Sequence, residues 1–395
     1  MSHDDHNIVK MALEKATKLA GEYKDGSLKG PNPKILVAGK TGIGKSTLLN
    51  AVFGKEMADV GVGRPITQDI KEYKSEHVPL TIIDSKGIEN KDYETIVGEL
   101  SGYIQKCANS GDEADAINVA WYCVSAPGAR FEPADEAVIK AIGATGIPVI
   151  VVLTQGRNFS GEDFKPGSDD AKLRDCIQAA VGSYAHKVIL VRAKAVEDED
   201  DDGNAIIKKP RGLNALIEET GKCIPKGRRN AYAQALNVRN TKALEAKVVA
   251  ATSVVDWAMG AAALAAAAPI PGSDFITLAP IQGTMLWKIG NIFGVDSDGT
   301  NWTKIITSVA GPLLIGLAAR AAVGTLLKLI PGVGSVLGGA ISGASAGAVT
   351  KIMGELYIEA LKTLLHEKQE AGGDMEISST EAIGALTQAV KNHKS

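Results

Sequence analysis

Gly39-Lys-Thr-Gly-Ile-Gly-Lys-Ser46 follows the apolar run Lys34-Ile-Leu-Val-Ala38 and leads into a helical pattern at 45–53. The stretch fits Gly-x-x-x-x-Gly-Lys-Ser/Thr in the strand–loop–helix setting that the motif requires. Its glycines let the backbone wrap, so that successive N–H groups face one anion, and the positive end of the helix adds to them. A bound polyphosphate is expected along Gly39, Lys40, Thr41, Gly42, Ile43, Gly44, Lys45, Ser46 and Thr47. Lys45 would bridge the β- and γ-phosphates, and the Ser46 hydroxyl would hold Mg²⁺.

Outward from that loop, apolar strands alternate with helical patterns. Strands are expected at 34–38, 81–84, 116–124, 148–154 and 187–191, with an edge strand at 70–75. Helices are expected at 45–53, 91–107, 133–144, 169–181 and 211–223. This order predicts an α/β P-loop NTPase domain with a mostly parallel sheet covered on both faces. A helix at 7–24 precedes it, and residues 231–395 read as an all-α domain with helices expected at 231–268, 273–293, 301–329, 335–366 and 379–392. The expected organisation is therefore an N-terminal helix within 1–30, a nucleotide domain at 31–225 and a helical domain at 231–395. The acidic run at 197–202 reads as a solvated loop. The basic stretch containing Lys222, Lys226, Arg228 and Arg229 reads as a linker.

Two further features fit the phosphate loop. Asp84-Ser-Lys-Gly87 follows a strand and matches DxxG, so that Asp84 would hold Mg²⁺ through water and the Gly87 N–H would sense the γ-phosphate. Thr67 lies between the two motifs in a glycine-containing loop and would complete the metal and γ-phosphate contacts. Lys45 and Thr67 are thus the expected catalytic pair, and Ser46, Thr67 and Asp84 the expected metal ligands.

The order of phosphate loop, loop threonine and DxxG over residues 34–223 resembles the Era-like branch of translation-factor-type GTPases. The resemblance implies GTP or GDP as ligand, Mg²⁺ as cofactor, and hydrolysis of GTP to GDP and phosphate. The guanine-reading motif of that family, [NT]KxD, falls on Thr154-Gln-Gly-Arg157. Thr154 matches, Gln155 replaces Lys, and Arg157 stands where the base-pairing Asp belongs. A guanidinium cannot accept the guanine N1–H and N2–H bonds, so guanine preference is weakened and an ATP-preferring protein is the alternative. Ala193 and Lys194, in Arg192-Ala-Lys194, match the last base-contacting loop. Ile88 occupies the place of a water-orienting Gln, so slow intrinsic turnover is expected. Arg64, Lys86 and Arg130 are candidate charge stabilisers.

The helical part resembles a family of uncharacterised domains found behind bacterial Era-like GTPases. Pro269-Ile-Pro-Gly-Ser-Asp-Phe275 and Ile330-Pro-Gly-Val-Gly-Ser335 carry that likeness. From Trp257 to Thr350 only seven residues are charged, so this segment must bury itself against protein or lipid. Gly334, Gly338, Gly339, Gly343 and Gly347 form GxxxG spacings that suit close helix contacts. Residues 329–350 carry no charge, yet they contain Pro331 and six glycines, and a buried helical hairpin is favoured over membrane insertion.

Net charge is −3, which gives no global field for nucleic acid. Four scattered cysteines and an acidic start without an apolar run fit a reducing cytoplasm. The expected partners are a guanine nucleotide, a protein effector and a peripheral contact at the inner face of a membrane. The competing reading is a membrane-associated scaffold that uses nucleotide structurally.

Overall fold

The computed structural model describes residues 31–54, 64–65, 70–74, 78–85, 93–128, 130–199, 204–266, 274–296, 343–372 and 374–392. The helices expected at 7–24 and 301–329 lie outside these residues, as do Thr67, Lys86, Gly87 and Ile88. The chain forms two compact units, and the division falls between Ala243 and Leu244.

The first unit is built on strands β1 (Lys34–Ala38), β2 (Arg64–Pro65), β3 (Ile70–Lys74), β4 (Thr81–Ser85), β5 (Val119–Ser125), β6 (Val149–Thr154) and, after a short β7–β8 hairpin (Phe159–Ser160, Asp163–Phe164), β9 (Lys187–Leu190). They form one seven-stranded sheet in the order β2-β3-β4-β1-β5-β6-β9. All neighbours from β4 through β9 are parallel, while β3 is antiparallel to both β2 and β4. The strand expected at the sheet edge, 70–75, is therefore second from the edge, because the two-residue β2 pairs outside it. The parallel strands carry continuous apolar runs, and every residue of β1 and β6 is buried. That is the composition a sheet with both faces covered requires.

Helices α1 (Lys45–Phe53), α2 (Tyr93–Asn109), α3 (Pro133–Gly143), α4 (Asp169–Val181) and α5 (Leu213–Cys223) connect and cover these strands. Fully buried Trp121 on β5 donates its indole N–H to Thr220 of α5 at 3.0 Å and stacks on Phe53 of α1 at 5.6 Å. Tyr122, next along, points to the other face and donates to Asp135 of α3 at 2.7 Å. Alternation along one strand thus ties a helix to each face of the sheet.

Two readings of the sequence are corrected. The acidic run is not wholly a loop: strand β10 (Val196–Glu199) pairs with β11 (Ala205–Lys208), and Asp198 forms an ion pair with Lys208. Opposite charges on one face of the ladder offset the repulsion within the run. Nor is the basic stretch an open linker. Arg228 is buried, and its guanidinium donates to the Asn118 side chain at 3.2 Å and to the carbonyl of Glu113. Burial lowers its pKa, yet carbonyl acceptors keep the cation satisfied.

The single helix expected at 231–268 is broken into α6 (Arg229–Ala235) and α7 (Thr241–Ala266). Asn237 and Asn240 bond instead to the last turn of α1 (below), which holds 229–240 with the first unit. In the second unit, α7 meets α8 (Asp274–Phe293) and α9 (Gly343–Glu370), followed by α10 (Ser379–Asn392). A Cβ on Gly354 would lie 2.5 Å from Val255, and one on Gly347 would lie 3.1 Å from the Met259 carbonyl. Small residues therefore allow the close approach of α9 to α7, as the glycine spacing at Gly347 predicts. Gln282 is buried and donates to Thr350 at 3.0 Å.

Lys247 of α7 is only 2% exposed and donates to the Ile292 carbonyl, in the last turn of α8, at 2.7 Å. A cation at a helix C-terminus is favoured, but desolvation lowers the Lys247 pKa to about 7. The unfolded chain then holds this proton more tightly than the folded one between about pH 7 and pH 10. Stability from this site is lowest below pH 7 and recovers as pH rises through that window. Lys247→Met is expected to raise the thermal midpoint by several degrees at pH 6 and by less at pH 9.5; an equal shift at both values contradicts the assignment.

Candidate functional site

The loop 39–46 leaves the C-terminal end of β1, where β4 lies on one side and β5 on the other. Crevices outside the carboxyl ends of parallel strands are the usual ligand positions in such sheets. Gly39 has φ +133°, and a Cβ there would fall 2.4 Å from the Cys123 carbonyl and 2.7 Å from Ile43. Only glycine lets the loop pass this close to β5. Gly44 precedes α1 with φ +96°, a left-handed conformation that glycine adopts without strain.

Lys45 folds its ammonium back over its own loop and donates to the carbonyls of Gly39 at 2.8 Å and Lys40 at 3.0 Å. Ser46 and Thr47 are exposed at the start of α1. Lys40 pairs with Glu132 at 2.8 Å, just before α3. Asp84 sits across from Val37 in the β1–β4 register. Its Oδ1 is buried without a hydrogen-bond partner among the described residues. Burial raises its pKa, and the ammonium groups of Lys45 and Lys71 pull it partly back. A buried carboxylate oxygen that lacks a donor, near an exposed serine hydroxyl on a helix N-terminus, fits a hard divalent cation with oxygen ligands. The described residues thus bring Lys45, Ser46 and Asp84 to one end of the sheet.

The loops expected to read the base join this end directly. Thr154 donates to the Ile43 carbonyl at 2.6 Å and to Val124 at 3.1 Å, which ties the end of β6 to the phosphate loop. Gln155 follows with φ +58°, the one described non-glycine residue with positive φ, and its amide reaches the Ile43 carbonyl at 3.5 Å. Left-handed backbone at such a residue costs of order 1 kcal/mol and tends to mark functional positions. The Gly156 N–H donates to the Val191 carbonyl at 3.0 Å, so this loop and the Ala193–Lys194 loop are held together.

Two contributors escape the sequence reading. Asp170 is buried in the first turn of α4, and its Oδ2 accepts from the Arg157 and Asn158 amides at 3.0 and 2.8 Å. Ser168-Asp-Asp170 announces a helix start, but not this contact. Lys71 faces Asp84 across the β3–β4 ladder, a position that follows from the register alone. Arg64 pairs with Glu72 through its backbone, and Arg130 is exposed outside any helix or strand.

Family models and known proteins match both parts of the chain. The family model described as "50S ribosome-binding GTPase" matches residues 34–155, and the one described as "Domain of unknown function (DUF697)" matches residues 233–383. "GTPase Der" of Agrobacterium fabrum is 32% identical over 212 residues, which take in 46% of this chain and 43% of that protein. "tRNA modification GTPase MnmE" of Syntrophobacter fumaroxidans is 26% identical over 48% of this chain and 36% of that protein. "Magnetosome membrane protein 22" of Magnetospirillum gryphiswaldense is 30% identical over 35% of this chain and 66% of that protein. The chain thus spans less than half of the length of each of these two GTPases. It carries an Era/Der-like P-loop GTPase domain, with a DUF697 helical domain following it in sequence.

Proposed function

We propose that the chain is a Mg²⁺-dependent GTP switch that hydrolyses GTP to GDP and phosphate slowly, and that its helical domain relays nucleotide state to a protein effector or a membrane surface. The observation that carries this is the phosphate loop beside the donor-less Asp84 oxygen. The amides from Gly39 to Thr47 bind the polyphosphate, Lys45 bridges the β- and γ-phosphates, and Ser46, Thr67 and Asp84 hold the metal. Mg²⁺ held by these residues would supply positive charge against the phosphate oxygens. Thr67 and Gly87 sense the γ-phosphate. Thr154, Gln155, Ala193 and Lys194 form the base side.

The relay is supported by the far end of α1. The Asn237 N–H donates to the Val52 carbonyl at 2.8 Å, and the Asn240 side chain donates to Ala51 at 3.1 Å. Phe53 also packs edge-on against Tyr232 of α6 at 6.3 Å. The nine-residue helix α1 therefore has the proposed phosphate and metal residues at one end and the lead-in to α7 at the other. On α7, Val249 and Trp257 are 68% and 47% exposed, apolar side chains suited to a partner or a lipid surface. No helix among the described residues is long and apolar enough to cross a membrane.

Phosphate release tests the proposal. Saturating Mg·GTP is expected to turn over at about 10⁻² s⁻¹ or below without a partner, and vesicle or effector capture is expected to differ between GDP and a non-hydrolysable GTP analogue. Absence of phosphate release over a day would contradict the hydrolytic part. Identical capture in both states would contradict the relay.

A further inference from the structure

The base side of the site holds its carboxylates in a way that the sequence motif does not show. Arg157 occupies the place where an acid would accept from the base, and it is exposed. The neighbouring acids are engaged with backbone amides. Asp170 takes Arg157 and Asn158, Glu162 takes the Gly212 N–H at 2.8 Å, and Asp163 takes the Phe164 N–H at 2.8 Å. The loop cannot easily turn another way. Gly156 packs so close that a Cβ would lie 2.6 Å from Leu190, and Gly212 so close that one would lie 1.9 Å from the Leu190 carbonyl. Cations lie along the loop that follows Arg157. Arg192 is buried over the Phe159 ring at 5.1 Å and donates to the Lys209 carbonyl, Arg211 bridges to it through the backbone, and Lys194 is exposed two residues on.

Among the described residues such a site offers cationic donors and, in place of a carboxylate that would take two N–H bonds, the single neutral side-chain oxygen of exposed Gln155. Guanidinium and ammonium groups only donate, so they match carbonyl oxygens on a base and oppose amino groups. Guanine presents one carbonyl, at C6, beside its N1–H and 2-amino donors. Hypoxanthine keeps that carbonyl and lacks the 2-amino group. Xanthine carries a second carbonyl at C2, and adenine carries an amino group at C6. We propose that this site selects 6-oxopurine nucleotides without reading the 2-amino group, so that inosine and xanthosine nucleotides are ligands on a par with guanosine nucleotides. The proposal rests on the phosphate-loop reading above and names the base class of that same site.

A competition panel on the full chain with Mg²⁺ tests it, using GDP, inosine diphosphate, xanthosine diphosphate and ADP against a fluorescent GDP. Inosine diphosphate is expected within about threefold of GDP, xanthosine diphosphate equal or tighter, and ADP at least about tenfold weaker. Arg157→Asp is expected to restore the missing carboxylate and to shift the GDP-to-xanthosine-diphosphate preference toward GDP by about tenfold or more. The wild-type panel decides the matter even if that variant fails to fold. A wild-type preference of about tenfold for GDP over inosine diphosphate would overturn the proposal, as would ADP binding as well as GDP. Failure of all four diphosphates to bind would instead overturn the phosphate-loop reading.

Discussion

Replacing Lys45 with alanine is expected to weaken Mg·GTP and Mg·GDP binding by about two orders of magnitude, the loss that follows when one partner of a desolvated charge pair is truncated. The same change is expected to leave the nucleotide-free fold almost untouched. The ammonium of Lys45 bonds only to the carbonyls of Gly39 and Lys40 among the described contacts, and both can turn to water when it is gone. The two carbonyls hold the charge at the mouth of the loop, where a β,γ-phosphate would meet it. Titration calorimetry and thermal melting of the variant check both halves. Unchanged affinity contradicts the placement of the phosphates, and a large fall in midpoint assigns Lys45 a structural role instead.

Gly39→Ala is expected to act on fold and binding together. The position combines φ +133° with a Cβ site 2.4 Å from a main-chain carbonyl of the central strand β5. The Ile43 side chain can move aside, but the Cys123 carbonyl cannot move without pulling on the β5–β6 ladder, where Cys123 pairs with Val152. The expected loss is about 3 kcal/mol of stability, at the upper end for a single change at a strained backbone site. Nucleotide binding is lost with it. Gly42→Ala is the control: φ is +77°, yet nothing lies within 4 Å of the added Cβ, so the expected cost is only about 1 kcal/mol. Denaturant melts of the two variants separate contact from strain. Equal midpoints would show that the approach to β5 is not what fixes this glycine.

The parts of the fold that the sequence made legible are those written locally. The run from Lys34 to Ser46 specifies strand, loop and helix within thirteen consecutive residues, and the buried parallel strands announce themselves by unbroken apolar composition. Features written between distant residues were hidden. Nothing in Asp170 predicts that it will hold the amides of Arg157 and Asn158, because that bond depends on how α4 returns to the sheet. The helical pattern from 231 to 268 is continuous in sequence, yet it breaks at 236–240, where Asn237 and Asn240 reach the end of α1. Tertiary acceptors there outcompete one more helical turn. Acidic composition likewise concealed the β10–β11 hairpin, whose Asp198–Lys208 pair appears only once the strands are in register. At the candidate site the phosphate loop and Asp84 were legible from motif and context. The crowding of cations at the base side was not, since Arg157, Arg192 and Arg211 come from three separate segments.

Direct calorimetric titration of Mg·GTP into the full chain bears most immediately on the phosphate loop. The account requires saturable, single-site heat that weakens for the triphosphate when Mg²⁺ is chelated, because Asp84 and Ser46 act through the metal. A flat titration at protein concentrations in the tens of micromolar range, about where weak nucleotide sites still give heat, would contradict it.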